Sequence, residues 1–568
     1  VFTTHTPVSA GHDVFPLDRV GNHFASYAAE LGIDLEQLLD LGRSADNRDA
    51  FNMTRLAIRG AAATNGVSKI HGRVSSRLCQ ANWPDVPATE NPVGYVTNGV
   101  HVSTFMRQAW VTLLDEHLGV QWRDRLMDRL LINKIAEIPD ERFWTTNQKV
   151  KQQMLRVIRE RLMRQHTRNG LSEAHIHRIL KLVNPDDPNV LTIGFARRFA
   201  TYKRATLLMT DLRWLEQILN QDGRPVLFVF AGKAHPADEP AQWMMREIQR
   251  ISSQPQFIGK ILLLEGYDMG LSRLLTSGVD VWLNTPVHPF EASGTSGMKA
   301  AINGTVNLSV LDGWWAEAYD GANGWGIPPA VDAQNAGERD RQDAVTLYEI
   351  LQDEVIPLYY AREERSGFSP EWVTLCKRSM ASVLPHFNSE RVLRDYLQNF
   401  YVPAARQGRS LAADDFRVAR DLAAWKQKVA AAWQGVQLKA VGAATQEAMF
   451  NEPVELTVEV ELNGLAPTDV RVECVVHRAL GSELTVPVVG YVDSRRPQTG
   501  TTYIDGETVL LDVFQPVPQQ LSEPPSSVCR YQLQFCPPWA GALLYEIRAV
   551  PQHPHLPHLY ELGLMRTL

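Results

Sequence analysis

The sequence predicts an α/β protein built on a doubly wound parallel sheet, followed by a C-terminal β-sandwich. Between about Pro185 and Ile327, short β-rich runs alternate with helix-period segments. The runs are almost wholly apolar, the pattern of strands buried on both faces. From about Val436 the texture changes to strict polar–apolar alternation punctuated by proline clusters.

VLTIGF (190 to 195) reads as the first strand, and KRATLLMTDLRWLEQIL as a helix that brings Leu207, Leu208, Leu212, Leu215 and Leu219 close to one face. The turn QDGRP leads to strand VLFVFAG (226 to 232), helix EPAQWMMREIQRI, strand KILLLEG, a short helix around LSRLL and strand VDVWLN (279 to 284). A Gly/Ser loop, helix MKAAIN and strand TVNLSVL (305 to 311) complete five strands joined by crossovers. Crossovers of this kind give a parallel sheet with helices on both faces. Residues 106–184 are mainly helical, through LLDEHLG, WRDRLMDRLL and NQKVKQQMLRVIRERLMRQH. YEILQDEVIPLYYA, WVTLCKRSMASVL and SERVLRDYLQNFYVPAA are amphipathic helices beyond the sheet, and VELTVEVEL, VRVECVV, YQLQF and ALLYEIRAV are the strands of the terminal domain.

A length of 568 residues allows roughly three or four domains. With 44% hydrophobic and 21% charged residues the chain is globular rather than disordered or fibrous. No apolar run nears the roughly 18 residues of a membrane span, and VFTTHTPVSAGHDVFP lacks the zones of a signal peptide, so a cytoplasmic protein without a membrane partner is expected. Cys79, Cys376, Cys474, Cys529 and Cys536 lack ligand spacing, so thiols and no metal are expected. Against 64 acidic residues stand 57 Lys and Arg; the net charge of −7 argues against a nucleic-acid partner. Val1 in place of Met, opening on a strand-like run, suggests that an N-terminal region is missing.

A doubly wound sheet takes its ligands at the carboxyl ends of its strands. Arg197, Arg198, Tyr202, Lys203 and Arg204 follow the first strand, Gly232, Lys233 and His235 the second, Glu265 and Tyr267 the third. After the fourth come Asn284, Glu291, Ser293, Thr295 and Lys299. Each cation alone would be surface decoration, but a group of them in one cleft implies an anionic ligand held by charged hydrogen bonds.

EASGTSGMKAAINGTVNLSVLDGWWAE, RRFATYKRATLL, TNGVHVSTF, TNGVSKIH and TTHTPVSAGHD resemble, in content and order, the α-glucan phosphorylase family, over roughly residues 1 to 330. The divergent bacterial maltodextrin and glycogen branch is the most similar. The resemblance implies a GT-B arrangement of two Rossmann-like domains, pyridoxal 5′-phosphate on a lysine, and reversible phosphorolysis of terminal α-1,4-linked glucose to glucose 1-phosphate with retention. The cofactor phosphate serves there as proton shuttle. Partners would be the glucan, inorganic phosphate and a second copy in a homodimer. The implied domains are 1–97, the tail of the first Rossmann-like domain, then 98–436, which holds the cofactor, and 437–568, the β-sandwich.

By motif matching, Lys299 carries the cofactor, with Thr295 and Ser296 in its loop and Tyr267 and Phe105 nearby. Arg197, Arg198 and Lys203 surround the two phosphates, beside Tyr202. His5 and Asn98 would read the 6-hydroxyl, and Glu291, Ser293 and Gly294 the 3- and 4-hydroxyls. A physical reading supports Lys299: its loop opens a helix, and a helix N-terminus disfavours positive charge, leaving the amine nucleophilic toward an aldehyde. The bland alternatives are a flexible linker around Lys299, a core histidine at His5 and a type I′ turn at Asn98-Gly99. SGMK stands where animal and plant enzymes have GNMK, RRFATYK where they have KRIHEYK, and Asp268 where they have an Arg. Competing functions are a GT-B glucan synthase using a nucleotide sugar, and a glucan-binding protein whose terminal domain stacks sugars on Tyr491, Tyr503, Tyr531 and Trp539. His553, His555 and His558, separated by prolines, read as incidental rather than metal-binding.

Overall fold

An unbroken apolar run places side chains on both faces of a strand, so both faces need cover. Every residue of Leu191–Ala196 and Val226–Ala231 is buried. Alternate residues go to opposite sides: Ile193, Phe195, Phe228, Leu283 and Leu308 join one core, and Leu227, Val229, Leu262 and Trp282 another. The computed structural model describes residues 1–43, 47–442, 453–478, 502–504, 508–513, 515–517, 527–535 and 543–568. Its contacts divide the chain into two compact units, Val67–His71 with Tyr95–Tyr396, and Val1–Gly66 with Gly72–Gly94 and Leu397–Leu568.

The first of these carries a six-stranded, all-parallel sheet. Across the sheet run Ile261–Leu264, Val226–Ala231, Leu191–Ala196, Val281–Asn284, Val306–Val310 and Gly324–Ile327, the doubly wound order 3-2-1-4-5-6. The sixth strand adds to the five that the sequence predicts. It is only four residues long and half glycine, a residue depleted in strands. At Gly324 a Cβ would stand 2.6 Å from the Asn307 carbonyl oxygen and 2.9 Å from the Trp315 ring, so that strand can pair only because the residue is glycine.

Two predicted helices break up. In place of one helix through 203–219, the chain makes 3₁₀ turns at Thr201–Lys203 and Leu207–Met209 and an α-helix only at Leu212–Leu219. Arg204 has a left-handed φ of 44°, and the Asp211 carboxylate accepts from the Arg213 and Trp214 amides, fixing the helix start there. WRDRLMDRLL likewise becomes a 3₁₀ turn and the four-residue helix Arg129–Ile132, capped by Asp128. The helix Asp140–Arg168 carries a fully buried Lys151, which pairs with Asp280 and donates to the Val190 carbonyl at 2.6 Å and the Tyr359 hydroxyl at 3.1 Å.

The other unit holds two antiparallel sheets from the C-terminal region. One orders Gln437–Val441, Val454–Glu461, Val528–Phe535 and Gln515–Pro516; the other Thr502–Ile504, Thr508–Val513, Val470–Arg478, Leu543–Pro551 and Arg566–Thr567. Val458, Val460 and Tyr531 of the first share a core with Val472, Cys474 and Ile547 of the second. Ile58, Trp83 and Val86 from the start of the chain pack with Val550, Tyr560 and Met565 from its end. Arg548, 1% exposed, seals this junction through Glu473 at 3.0 Å and Glu90 at 2.7 Å. Tyr491, Trp539 and Cys536 lie outside the described residues. Among the described residues no helix is long and apolar enough to cross a membrane, and no cluster of His, Cys, Asp and Glu could hold a metal.

Candidate active site

The order of the sheet reverses between Leu191–Ala196 and Val281–Asn284, the position at which doubly wound sheets take their ligands. The first loop is pinned at once: the Arg197 amide donates to the Ala231 carbonyl at 3.1 Å and the Phe199 amide to that of Lys233 at 2.9 Å. Arg197 is 7% exposed. Its Nη2 donates to Glu291 Oε2 at 2.7 Å, while its Nε and Nη1 are buried with no acceptor among the described residues. Two bare, buried guanidinium donors at the strand ends are suited to an anionic or hydroxylated ligand.

Lys203 lies close by electrostatically. Its amine is pushed down to about 7, first by burial, then by Arg197 and Arg198, with Glu291 opposing. Its Nζ stands 5.4 Å from the centre of the Tyr202 ring, and that phenol is pushed up, foremost by burial. Arg198 is exposed. Arg204 leaves the predicted set of ligand-facing cations: its guanidinium donates to the Thr285 and Pro286 carbonyls at 2.9 and 2.7 Å and pairs with Asp340 and Asp343. Lys233 and His235 are exposed, and Glu265 is taken by Arg168. Tyr267 is half-buried and donates to the Ala196 carbonyl at 3.3 Å. Asp268 caps the helix Met269–Gly278, accepting from the Leu271 amide at 2.7 Å, so this departure from the animal and plant pattern is a helix cap here.

The second loop carries Glu291 and Ser293. Asp312, directly after the fifth strand, accepts from the Glu291 amide at 2.9 Å and the Gly313 amide at 2.8 Å. Burial foremost pushes the Asp312 carboxyl up to about 7. The Trp314 amide donates to the Ser293 carbonyl at 2.8 Å, and the Ser293 hydroxyl is buried without a partner among the described residues. Gly294, at a φ of 93°, turns the chain into the helix Thr295–Ala301. Thr295 is half-buried, and Ser296 Oγ accepts from the Trp282 indole at 3.1 Å.

Lys299 lies in the last turn of this helix. Its amine is 4.1 Å from the centre of the Phe105 ring and is held below its ordinary value by burial alone. Lys299 is the fifth residue of the helix whose N-terminus was expected to depress it. No ion pair or hydrogen bond engages its Nζ among the described residues.

Asn98 sits on a loop gripped from several sides. Its amide donates to the Val67 carbonyl at 3.1 Å, and Arg391 Nη2 donates to the Thr97 and Asn98 carbonyls at 2.5 and 3.1 Å. The type I′ turn is not formed, since Gly99 lacks a positive φ; it is glycine because a Cβ would sit 2.5 Å from the Asn388 carbonyl oxygen. Glu317 accepts from the Lys69 amide at 2.9 Å and the Thr97 hydroxyl at 2.8 Å. His5 lies in the other unit, exposed beyond the strand Phe2–Thr3, which removes its reading as a core histidine. The unit Val67–His71 with Tyr95–Tyr396 thus holds every predicted site residue except His5. Sequence reasoning missed Asp312, Glu317 and Arg391. Two carboxylates just past a buried strand, in LDGWWAE, were the available signal for the first two.

Strand order defines a doubly wound α/β protein that carries bare guanidinium donors and a desolvated lysine beyond its strand ends. Residues 22–322 match the carbohydrate phosphorylase family profile, and residues 433–510 that of the glycogen phosphorylase C-terminal domain. The chain belongs to the carbohydrate phosphorylase family. It is 37% identical over its whole length to the maltodextrin phosphorylase of Thermococcus litoralis and 36% to the glycogen phosphorylase of Mycobacterium bovis, of which it covers 62% and 63%. Over 71% of its length it is 39% identical to the glycogen phosphorylase of Aquifex aeolicus, covering 57% of that protein. The chain therefore spans somewhat less than two thirds of the length of these relatives.

Proposed function

We propose that this chain is part of a cytoplasmic, homodimeric α-1,4-glucan phosphorylase of GT-B architecture, with domains 1–97, 98–436 and a β-sandwich at 437–568. It would transfer terminal glucose from maltodextrin, glycogen or starch to inorganic phosphate, forming glucose 1-phosphate with retention. The observation that carries the reading is the contact between Arg197 and Glu291, which joins a cation with two unused donors to a carboxylate suited to sugar hydroxyls.

The residues fit pyridoxal 5′-phosphate. Lys299 offers a desolvated amine free of acidic partners, the Phe105 ring lines it, and Thr295, Ser296 and Tyr267 supply hydroxyls. When bound, the cofactor supplies a phosphate able to exchange a proton with the substrate phosphate. Arg197 and Lys203, with Arg198 at the exposed side, hold the anions; two phosphates repel strongly unless cations surround them. Glu291, Ser293 and Gly294 take the 3- and 4-hydroxyls, and Asn98 the 6-hydroxyl. A glucan synthase would have no use for Lys299 in this setting. Sugar stacking on Tyr531 is disfavoured, because its ring is 1% exposed in the core.

The test is glucose 1-phosphate formation from maltodextrin and phosphate by the full-length protein loaded with pyridoxal phosphate. No product would overturn the proposal.

The Lys203 amine gives a pH prediction. A group held down to about 7 keeps its charge below that pH and loses it above. An anion bound beside it restores the proton, so affinity falls as pH rises through 7, by up to about tenfold per unit. Asp312, gaining charge over the same range, adds in the same direction. Sulfate is the probe, since it stays dianionic throughout. Calorimetry from pH 6 to 8 should show weakening affinity and proton uptake at pH 8, both blunted in Lys203→Met. Equal affinity across the range would exclude Lys203 from the anion site.

A further inference from the structure

The six residues from Asp312 to Glu317 touch both loops that carry the proposed sugar-reading side chains. On one side, Asp312 accepts from the Glu291 amide, and the Trp314 amide donates to the Ser293 carbonyl. The Trp314 ring also closes on Gly294 and on Gly297 of the lysine helix: a Cβ on Gly294 would lie 3.1 Å from it, and one on Gly297 2.8 Å. On the other side, Glu317 takes the Thr97 hydroxyl and the Lys69 amide, next to Asn98. Arg391 closes that loop from its carbonyl side. The Asn98 amide is itself spent on the Val67 carbonyl, which ties the stretch from 97 to 99 to the stretch from 67 to 69.

We infer that Asp312 and Glu317 are positioning residues that brace the Glu291 loop and the Asn98 loop against a single short turn and so set the spacing at which a terminal glucose is read. The inference rests on the proposed sugar-reading roles of Asn98 and Glu291. Neither carboxylate needs to touch substrate. Glu317 acts through Thr97 and Lys69, Asp312 through the backbone of Glu291. A hydroxyl-binding group displaced by a fraction of an ångström loses most of its value, because hydrogen bonds are steep in distance and angle. At 317 a single oxygen, Oε1, lies within reach of both a backbone amide and a hydroxyl, so one acceptor atom can hold both partners.

The test is a pair of double-mutant cycles in the full-length, cofactor-loaded protein. Glu317→Ala should raise the maltodextrin KM about tenfold or more, with little change in the KM for phosphate or in the cofactor absorption. Combined with Asn98→Ala, it should cost little beyond Asn98→Ala alone, since both act through one contact. Asp312→Ala should behave in the same way toward Glu291→Ala. Glu317→Gln, which keeps an acceptor oxygen, should restore most of the sugar affinity. Equal loss toward sugar and phosphate, or additive effects in the cycles, would overturn the inference in favour of a plain stability role.

A second readout does not depend on turnover. Amide exchange of the peptide covering 95 to 100 should quicken in Glu317→Ala while that of the parallel strands stays slow. If the wild-type protein forms no glucose 1-phosphate, the proposed function fails, and exchange alone decides the brace: unchanged protection at 95 to 100 would refute it.

Discussion

Lys299→Ala is expected to give a folded protein that holds no pyridoxal covalently and forms no glucose 1-phosphate. The fold should survive because the side chain leaves nothing behind: its amine has no hydrogen-bond partner among the described residues, and alanine is the best helix former for that turn. What is lost is a desolvated amine against the Phe105 ring. Lys203 is the rival, and on acidity alone the stronger one, since its amine is pushed down to about 7. It owes that shift partly to Arg197 and Arg198, cations that attract phosphate oxygens and suit it to hold an anion instead. Borohydride reduction followed by peptide mapping separates the two. A pyridoxyl group on Lys203, Lys69 or Lys233 would overturn the assignment of Lys299.

The parallel sheet was legible because its strands are apolar runs with no polar face, a pattern few other elements produce at that length. Gly324–Ile327 escaped because pairing there depends on the absence of a side chain, which periodicity does not register. Leu207 and Leu208 misled for the opposite reason. They are buried as predicted, but in a 3₁₀ turn, since helical spacing reports burial rather than helix. In the terminal region, residues 456–461 alternate between buried and half-buried just as their sequence alternates, because one face meets a core. At the site, topology alone placed Arg197 and Lys203 beside Glu291. It could not separate Arg197 from Arg204, which follow the same strand and differ only in partners supplied by distant segments. Glu317 was invisible in its role, since it meets Thr97 and Lys69 across 220 and 248 residues of chain.

The second large effect falls on the cations. Arg197→Ala and Lys203→Ala in the full-length protein are each expected to lower phosphorolysis by two or more orders of magnitude, a loss of roughly 3 kcal/mol in transition-state stabilisation. The two should fail differently. Removing Arg197 also strips Glu291 of this ion pair and leaves that carboxylate half-buried beside the sugar-reading loop, so the maltodextrin KM should rise together with the fall in kcat. It also removes a positive neighbour of Lys203, whose amine should then hold its proton to higher pH and recover part of the lost charge. Lys203→Ala leaves the Arg197–Glu291 pair in place, so kcat and the phosphate KM should suffer while sugar affinity changes less. Arg198→Ala should cost less than either, because an exposed cation is screened by solvent. Initial rates varied in phosphate and maltodextrin concentration resolve all three. If Arg197→Ala and Lys203→Ala raised only the maltodextrin KM, the cluster would be a sugar-chain site and the phosphate reading would fall.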